Sequence, residues 1–384
     1  MKILRSYCLR ELNQPFLLSL SLFTFIFMVG NLVKLADLLV NKGVGIIDII
    51  KMLFLLMPQL VIFILPTSAI AAVLLVFGGF AQNNEINAMK ASGVNVWRVM
   101  APVAVVAFLL SILTLFFTDQ IQPRLHELYR DTMNDLMIKK PEAYLESGRF
   151  VKDFKGYTIW VKKVDGRKLE GVTIFQDQQG APTRTIIAEW GEIISNPKEG
   201  ALGLRLHNGV SDEPNPENPA VLYKMNFETF TLPAMNLSEG DSVKKAKKKM
   251  KDLSLNELLY TLKSMKMRRE ELQKDEWRSD EDIAKEVRDV TLQAKAEIQR
   301  KISFSFATFC FVMIGLPLAI VTRRGEAVVS FVFSMLIVAV YYILSIWSKS
   351  MAVNGVLPAI ISMWLPNVIL IGTAAFLMTK VVRL

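Results

Sequence analysis

The chain has 384 residues, of which 52% are hydrophobic, and its formal net charge at pH 7 is +9. The apolar residues come in long uncharged blocks, a pattern that excludes an ordinary soluble protein. The positive charge does not indicate nucleic-acid binding, because the basic residues divide between short loop ends and one mixed-charge segment and form no basic patch interleaved with aromatic residues.

Six blocks lack any charged side chain, and each reaches or nearly reaches the roughly 20 residues that a helix needs to cross a bilayer core. They are residues 15–33, 52–84, 99–118, 302–322, 327–348 and 351–379. The second and sixth are longer than one straight crossing and contain proline and glycine, so we expect bends there. The predicted fold class is therefore an α-helical membrane protein with six transmembrane helices, three on each side of a long insertion.

Basic residues mark one side of these helices. The short segments on that side contain Lys2, Arg5, Arg10, Lys90, Arg98, Arg323, Arg324, Lys380 and Arg383. An excess of Lys and Arg in short loops identifies the cytoplasmic face of a membrane protein. We therefore expect both termini in the cytoplasm and residues 119–301 on the opposite side of the membrane.

Two charged residues stand at the outer end of the first span. Lys34 and Asp37 are three residues apart, so they share one helix face. One interpretation is an interfacial pair whose charges reach the headgroup region. The other is a lysine that faces a cavity and contacts an anionic lipid headgroup, with Asp37 pairing or tuning it.

The loop between the second and third spans, residues 84–98, predicts a short helix. Residues 85–92 are good helix formers, Gly93 suits the left-handed position that ends a helix, and Asn95 can cap the next helix. Such a helix at the membrane surface is a handle for a cytoplasmic partner, while an ordinary tight loop is the alternative. The candidate coupling residues are Glu85, Ala88, Met89, Gly93 and Arg98.

The insertion has a β part and a charged helical part. Residues 147–237 contain short alternating runs between glycine and proline clusters, which predict a sandwich or open barrel with one apolar face. That face is either a packed core or a groove for an amphiphile, and its candidate residues are Ile159, Val161, Val172, Ile174, Leu204 and Phe227. Residues 241–300 begin with a basic run from Lys244 to Lys251, of undetermined role. Ser254 and Glu257 then predict a capping box that opens a helical arm.

The sequence contains no motif for energy conversion. The phosphate-binding pattern G-x-x-x-x-G-K-[ST] is absent, and no nucleophile–base pairing stands out. Cys8 and Cys310 predict no disulfide, and the isolated His126 and His207 predict no metal site. We therefore expect a non-enzymatic subunit without a cofactor. Because the spans carry almost no ionisable residues, coupling to an ion gradient is disfavoured, and a separate ATPase acting on residues 85–98 is favoured.

Seven segments of this chain resemble the LptF/LptG permease family of the lipopolysaccharide exporter. They are LVKLAD at 32–37, LPTSA at 65–69, EINAMKASG at 85–93, GLPLA at 315–319, RRG at 323–325, NGVLP at 354–358 and WLPN at 364–367. No single segment is decisive, but their order and spacing together are specific, and the resemblance covers the whole chain. Only residues 241–296 do not match residue by residue. General similarity favours LptF over LptG.

The resemblance implies a bacterial, Gram-negative inner-membrane protein with a periplasmic β-jellyroll. It implies pairing with a second LptF/LptG-type permease, an LptB-type ATPase dimer that uses the ATP, LptC- and LptA-type jellyroll proteins, and lipopolysaccharide as cargo. The coupling acid of the family falls on Glu85 and its lipid-contacting base on Lys34. The expected organisation is residues 1–121 for three spans, 122–240 for the β domain, 241–300 for the charged helical segment and 301–384 for three spans.

Two other functional classes remain open from the residues themselves. A mechanotransmission subunit would relay ATPase motion to a periplasmic partner without carrying lipid, and its extracytoplasmic domain would need no lipid groove. A secondary transporter is disfavoured by the charge-poor spans. Photocrosslinking from inward-facing strand residues such as Ile174 or Phe227 distinguishes the first class, because only a lipid carrier would label lipopolysaccharide.

Overall fold

The computed structural model describes residues 2–40, 44–139, 147–154, 156–178, 181–196, 201–214, 222–236, 250–272, 280–323 and 325–383. Two compact units divide the chain, and we describe each by itself. The first comprises Met1–Gly30, Leu56–His126 and Lys249–Leu384, and the second comprises Asn31–Leu55 and Glu127–Lys248. The described residues of the charged segment, from residue 250 onward, fall in the first unit.

The helices follow the chain in a simple order. They are α1 (Lys2–Val40), α2 (Ile46–Gln82), α3 (Glu85–Ala91), α4 (Val96–Phe116), α5 (Gln122–Lys139), α6 (Leu255–Leu272), α7 (Asp280–Thr322), α8 (Ala327–Val353) and α9 (Ala359–Arg383). A π-helical turn, Phe117–Ile121, joins α4 to α5, and a 3-10 turn, Met250–Asp252, precedes α6. Among the described residues, six helical segments are long and apolar enough to cross a membrane, which confirms the six predicted spans.

The two longest apolar blocks, the second and the sixth, differ in structure. Pro58 and Pro66 lie inside α2, which continues over 37 residues without interruption. The sixth block, by contrast, contains the end of α8, a short loop and α9. Gly355 in that loop has a φ of 71°, a conformation that glycine adopts without steric cost, so α8 ends there. The extra length of the block therefore belongs to a loop between two spans.

Small and polar residues bring the membrane helices together. Gly315 of α7 lies against α2, where an added Cβ would come within 3.3 Å of Ile70 Cγ1. Asn367 of α9 is buried and donates hydrogen bonds to the carbonyl and hydroxyl oxygens of Ser303 in α7. Such contacts are the usual means of helix association in lipid, where apolar burial gives no net driving force. Several segments that carry the family resemblance are thus interhelical contacts.

Charged side chains contact the middle of α7. Lys301 is 1% exposed and donates to the carbonyl oxygen of Thr118, within the π-helical turn. Glu297 is also buried and pairs with Arg300, at 2.6 Å, and with Lys349 of α8. The predicted capping box opens α6, because Ser254 N donates to Glu257 Oε2 and Glu257 N donates to Ser254 Oγ. The helical arm is confirmed in α6 and in the first half of α7, and α7 runs on from there into the fourth span as one helix.

The second unit contains one six-stranded antiparallel sheet whose strands follow chain order. They are β1 (Phe150–Phe154), β2 (Tyr157–Asp165), β3 (Lys168–Gln178), β4 (Ala181–Asn196), β5 (Ala201–Pro214) and β6 (Leu222–Asn236). The inserted β domain is confirmed, and its described strands form a single meander. Strand β4 was not among the alternating runs that the sequence singles out.

The alternation of inward and outward residues changes phase within two strands. In β3 the buried positions pass from Leu169 to Val172, and in β5 they pass from Leu206 to Ser211. Gly171 and Asn208 lie within these gaps with φ values of 63° and 50°. A residue with positive φ interrupts the two-residue period of a strand. As a result, residues of both parities contribute to one apolar cluster on the sheet.

Candidate functional site

A residue in the left-handed backbone conformation lies at each end of helix α3 and separates it from the neighbouring helices. Asn84 has a φ of 60° and Gly93 has a φ of 72°. The Asn84 side chain accepts a hydrogen bond from Asn87 Nδ2 at 2.9 Å. Asn95 Oδ1 accepts from the backbone N of Trp97 at 2.9 Å and so caps α4. The predicted short helix, its glycine end and the asparagine cap are all confirmed.

One face of α3 is buried and the other is exposed. Ile86 and Met89 belong to the apolar core of the helical unit, while Asn87, Ala88 and Ala91 are exposed. Of the predicted coupling residues, Ala88, Gly93 and Arg98 are exposed and Glu85 is half-buried. Met89 is 9% exposed and therefore anchors the helix rather than offering a contact surface. The exposed face carries small side chains, which lets another surface approach closely.

The carboxylate of Glu85 is held by the first span. Tyr7 Oη donates to Glu85 Oε2 at 3.3 Å, and the Tyr7 ring stacks on Phe80 of α2 with 5.4 Å between ring centroids. Tyr7 itself is 36% exposed, so this contact lies at the rim of the bundle. The arrangement links three helices at the acidic end of α3.

Further contacts tie α3 and its flanks to distant parts of the chain. Arg5 Nε donates to the carbonyl oxygen of Arg98 at 3.1 Å, and Lys90 Nζ donates to the carbonyl oxygen of Val381 in α9. At the end of α2, Gln82 Oε1 accepts from Gly325 N at 3.1 Å. The region of α3 is therefore connected to α1, to α9 and to the loop between α7 and α8.

Sequence reasoning did not find these supporting residues. In the sequence, Arg323 and Arg324 indicate orientation and the RRG segment at 323–325 carries part of the family resemblance, but neither predicts this contact. A Cβ at Gly325 would lie 2.6 Å from Cα of Gly79, so glycine is needed there for two backbones to approach. No sequence signal connects Tyr7 with Glu85, because nothing local relates residues 78 positions apart.

The predicted headgroup-contacting pair is only partly described. Lys34 and Asp37 lie within α1, but their side chains fall outside the described residues. Most of the basic run from Lys244 to Lys251 also falls outside them. Arg324 does as well.

The predicted apolar face of the sheet is present and continuous. Cross-strand register places Val161, Val172, Ala188, Gly209 and Phe227 in one row across five strands. Directly opposed residues in neighbouring strands point to the same face. A second row includes Ile159 and Ile174 and continues through Ile186 of β4. Leu204 belongs to the same apolar cluster, which therefore contains or contacts all six candidate residues.

This apolar face is filled by its own side chains. Ile159, Val172, Ile174 and Leu204 are 0% exposed, and Val161 is 1% exposed. Phe227 is half-buried and packs against Phe230 with 5.2 Å between ring centroids. An acyl chain could reach the buried residues only if these side chains separated. Of the two arrangements considered from the sequence, a packed core and an open groove, the structure has the packed core.

The two cysteines and the two histidines have surroundings that are typical of structural residues. Cys8 and Cys310 are buried free thiols. His126 Nε2 lies 3.5 Å from Asp252 Oδ2, and the His207 ring stacks on Trp190 with 3.9 Å between centroids. Among the residues that the structure describes, no group of three or more His, Cys, Asp or Glu could hold a metal ion.

Comparison with known proteins gives a consistent result across the chain. A family model described as lipopolysaccharide export system permease LptF/LptG matches residues 6–380. The permease protein LptF of Escherichia coli K12 is 21% identical over 385 aligned positions, covering 98% of this chain and 94% of that protein, and LptF of Shigella flexneri aligns with the same figures. An uncharacterized protein of Rickettsia prowazekii is 23% identical over 194 residues, or 50% of this chain and 54% of that protein.

Proposed function

Since the chain belongs to the family of lipopolysaccharide export permeases LptF/LptG, we propose that it is one permease subunit of an ATP-driven exporter that extracts lipopolysaccharide from the inner membrane and passes it to a periplasmic bridge. The observation that carries this proposal is the match over residues 6–380 together with the exposed helix α3. A membrane protein without a phosphate-binding motif needs another polypeptide to hydrolyse ATP.

Helix α3 is the proposed docking element for an LptB-type ATPase dimer. Its exposed residues include Ala88, and Gly93 and Arg98 follow on the same connection. Glu85 offers a carboxylate that a cation on the ATPase can pair with. Because Ile86 and Met89 anchor the opposite face in the core, a push on α3 is transmitted to the membrane helices and not absorbed by a loose loop.

The orientation follows from the basic residues of the short loops. Both termini and α3 face the cytoplasm in this proposal, and the sheet lies in the periplasm. A second LptF/LptG-type permease pairs with this chain, and the first and fifth spans line the cavity at the seam between the two. Lys34 attracts the anionic headgroup there, with Asp37 beside it.

The sheet is the proposed receiver of the acyl chains. Leaving the membrane costs roughly 0.8 kcal/mol for each CH₂ that meets water, so the next compartment has to be apolar. The inward rows that contain Val161, Ile174 and Phe227 provide such a surface. Because those side chains pack on one another, the proposal requires the sheet to open when lipid arrives. LptC- and LptA-type jellyroll proteins then continue the path.

Site-specific photocrosslinking tests whether lipid enters the sheet. A photoreactive residue at Ile174 in the full exporter should label lipopolysaccharide during ATP hydrolysis. The matched control is Thr173, its neighbour in β3, whose side chain points to the opposite face. Labelling from Ile174 but not from Thr173 supports a lipid carrier. Equal labelling, or none at Ile174 in an exporter that remains active, contradicts the proposal and favours a subunit that only relays motion.

A further inference from the structure

A cavity of about 540 Å³ lies between four helices of the helical unit, at the end that carries α3. Its walls come from α1, α2, α4 and α7 and are mainly apolar, including Phe16, Val73, Val103 and Leu110. Cavities of roughly 300–1,000 Å³ with apolar walls and a few polar groups are typical of small-molecule sites. This space therefore has the size and lining of a binding site.

The polar residues of the cavity come from one helix. Ser6, Arg10 and Asn13 of α1 lie four and three residues apart, which places them on one face of that helix. Arg10 is exposed. Within the described part of the chain, its guanidinium has no hydrogen-bond or ion-pair partner. A cation without a partner at the edge of an apolar cavity matches a ligand that has a negative head and an apolar tail.

We infer that this cavity binds a phospholipid with an anionic headgroup. One acyl chain lies between α1, α2 and α4, the phosphate contacts Arg10, and Ser6 and Asn13 donate hydrogen bonds to the headgroup. An arginine fork matches the geometry of phosphate oxygens. A soluble polar ligand does not fit the apolar walls, and in a zwitterionic lipid such as phosphatidylcholine the headgroup ammonium offsets the phosphate charge that Arg10 would pair with.

This site is distinct from the proposed path of the cargo. Arg10 lies one turn beyond Tyr7, whose hydroxyl contacts Glu85, so the cavity belongs to the same end of the bundle as α3. Under the proposed orientation this is the cytoplasmic leaflet, where juxtamembrane basic residues attract anionic lipids. The leaflet rests on that orientation, but the binding itself does not, nor does it rest on lipopolysaccharide transport.

Native mass spectrometry of the detergent-purified exporter tests the inference directly. Phosphatidylglycerol and phosphatidylcholine are titrated separately, and the bound fraction of each is measured. We expect about one retained phosphatidylglycerol for this cavity and at least fivefold weaker retention after Arg10→Gln, with Arg10→Lys recovering most of it. Lys2→Gln is the matched control, since it removes a nearby charge of α1 that does not line the cavity.

A second variant separates the acyl chain from the charge. Val106 lines the cavity and is 41% exposed, so Val106→Trp fills the space without disturbing a buried position. It should lower phosphatidylglycerol retention at least fivefold while Arg10 stays in place. Retention unchanged in either Arg10→Gln or Val106→Trp, or equal retention of phosphatidylcholine, overturns the inference. Displacement of the bound phospholipid by added lipopolysaccharide, one for one, overturns it too, because the cavity would then belong to the cargo.

Discussion

Tyr7 near the start of the first span donates a hydrogen bond to Glu85 at the start of α3, with 3.3 Å between Oη and Oε2. The two residues are 78 positions apart in the chain. The tyrosine hydroxyl orients the carboxylate through one oxygen and leaves the other oxygen available to a second partner. This contact makes Tyr7 a positioning residue for the proposed coupling site.

Replacing Tyr7 with Phe should weaken coupling without unfolding the bundle. The Phe ring keeps the stacking on Phe80, and only the hydroxyl is lost. An exposed hydrogen bond contributes about 0.5–1.5 kcal/mol, which corresponds to roughly a two- to tenfold effect. We expect fewer lipopolysaccharide molecules released per ATP in proteoliposomes. Tyr260→Phe, at an exposed tyrosine of α6, should change nothing, and normal coupling in Tyr7→Phe would show that the contact is incidental.

Glu85→Ala should separate ATP hydrolysis from export. The variant keeps the anchors Ile86 and Met89, so α3 should still form. Loss of a charge-assisted contact with the ATPase is expected to lower export by at least about tenfold, the equivalent of 1.4 kcal/mol, while hydrolysis continues. Glu11→Ala, which removes an exposed glutamate of α1, is the control. Wild-type export in Glu85→Ala would refute the coupling role.

Gly93→Ala should destabilise the end of α3 through the backbone alone. No atom lies within 4 Å of an added Cβ, so the cost comes only from the φ of 72° and amounts to about 1–2 kcal/mol. Gly30→Ala is the matched control, since a Cβ there also meets open space but the residue is helical. Thermal unfolding of the purified complex and co-purification of the ATPase measure the effect. Equal behaviour of the two variants would contradict the left-handed cap.

Gly209→Ala should disturb the apolar face of the sheet. An added Cβ would overlap both the carbonyl oxygen of Ile187 and the Phe227 ring. Overpacking of this kind costs about 1–3 kcal/mol. The control is Gly203→Ala in the same strand, where the nearest atom is 3.4 Å away. A lower unfolding temperature for Gly209→Ala alone is expected, and identical temperatures would argue against the register of β5 and β6.

Glu297→Gln should destabilise the contact between the middle of α7 and α8. The substitution removes the charge that pairs with Arg300 and with Lys349 of α8. Because both cations reach solvent, we expect a loss of only about 1–2 kcal/mol, less than for a fully enclosed pair. Asp289→Asn, two turns earlier at an exposed position of the same helix, is the control. A Glu297→Gln protein as stable as the control would show that the pair contributes nothing net.

Some residues of the candidate site could be predicted from the sequence, and others could not. Glu85, Gly93 and Asn95 were identifiable, since helix formation and capping depend on neighbours within a few residues. Met89 was assigned to the contact surface although it is buried, because a seven-residue helix is too short for its apolar face to be assigned from periodicity. The supporting residues Tyr7 and Gly325 come from distant segments, and no local pattern identifies them.

The apolar face of the sheet could likewise be predicted only in part. Alternation in β2 and β3 correctly indicated that Ile159, Val161, Val172 and Ile174 share a face. The sequence by itself could not show whether that face was open, because the answer depends on how closely six strands bring their side chains together. Nor could it show the phase change at Asn208, where a non-glycine residue has a positive φ.

The sequence by itself determined that this is a six-span membrane protein with an inserted β domain. A helix that crosses a bilayer needs about 20 consecutive apolar residues, and such a run can be identified directly in the linear sequence. Only the tertiary structure decided which side chains support α3, that the sheet face is closed, and that Arg10 borders an apolar cavity. Those properties arise from contacts between residues far apart in the chain, which depend on how the helices and strands pack.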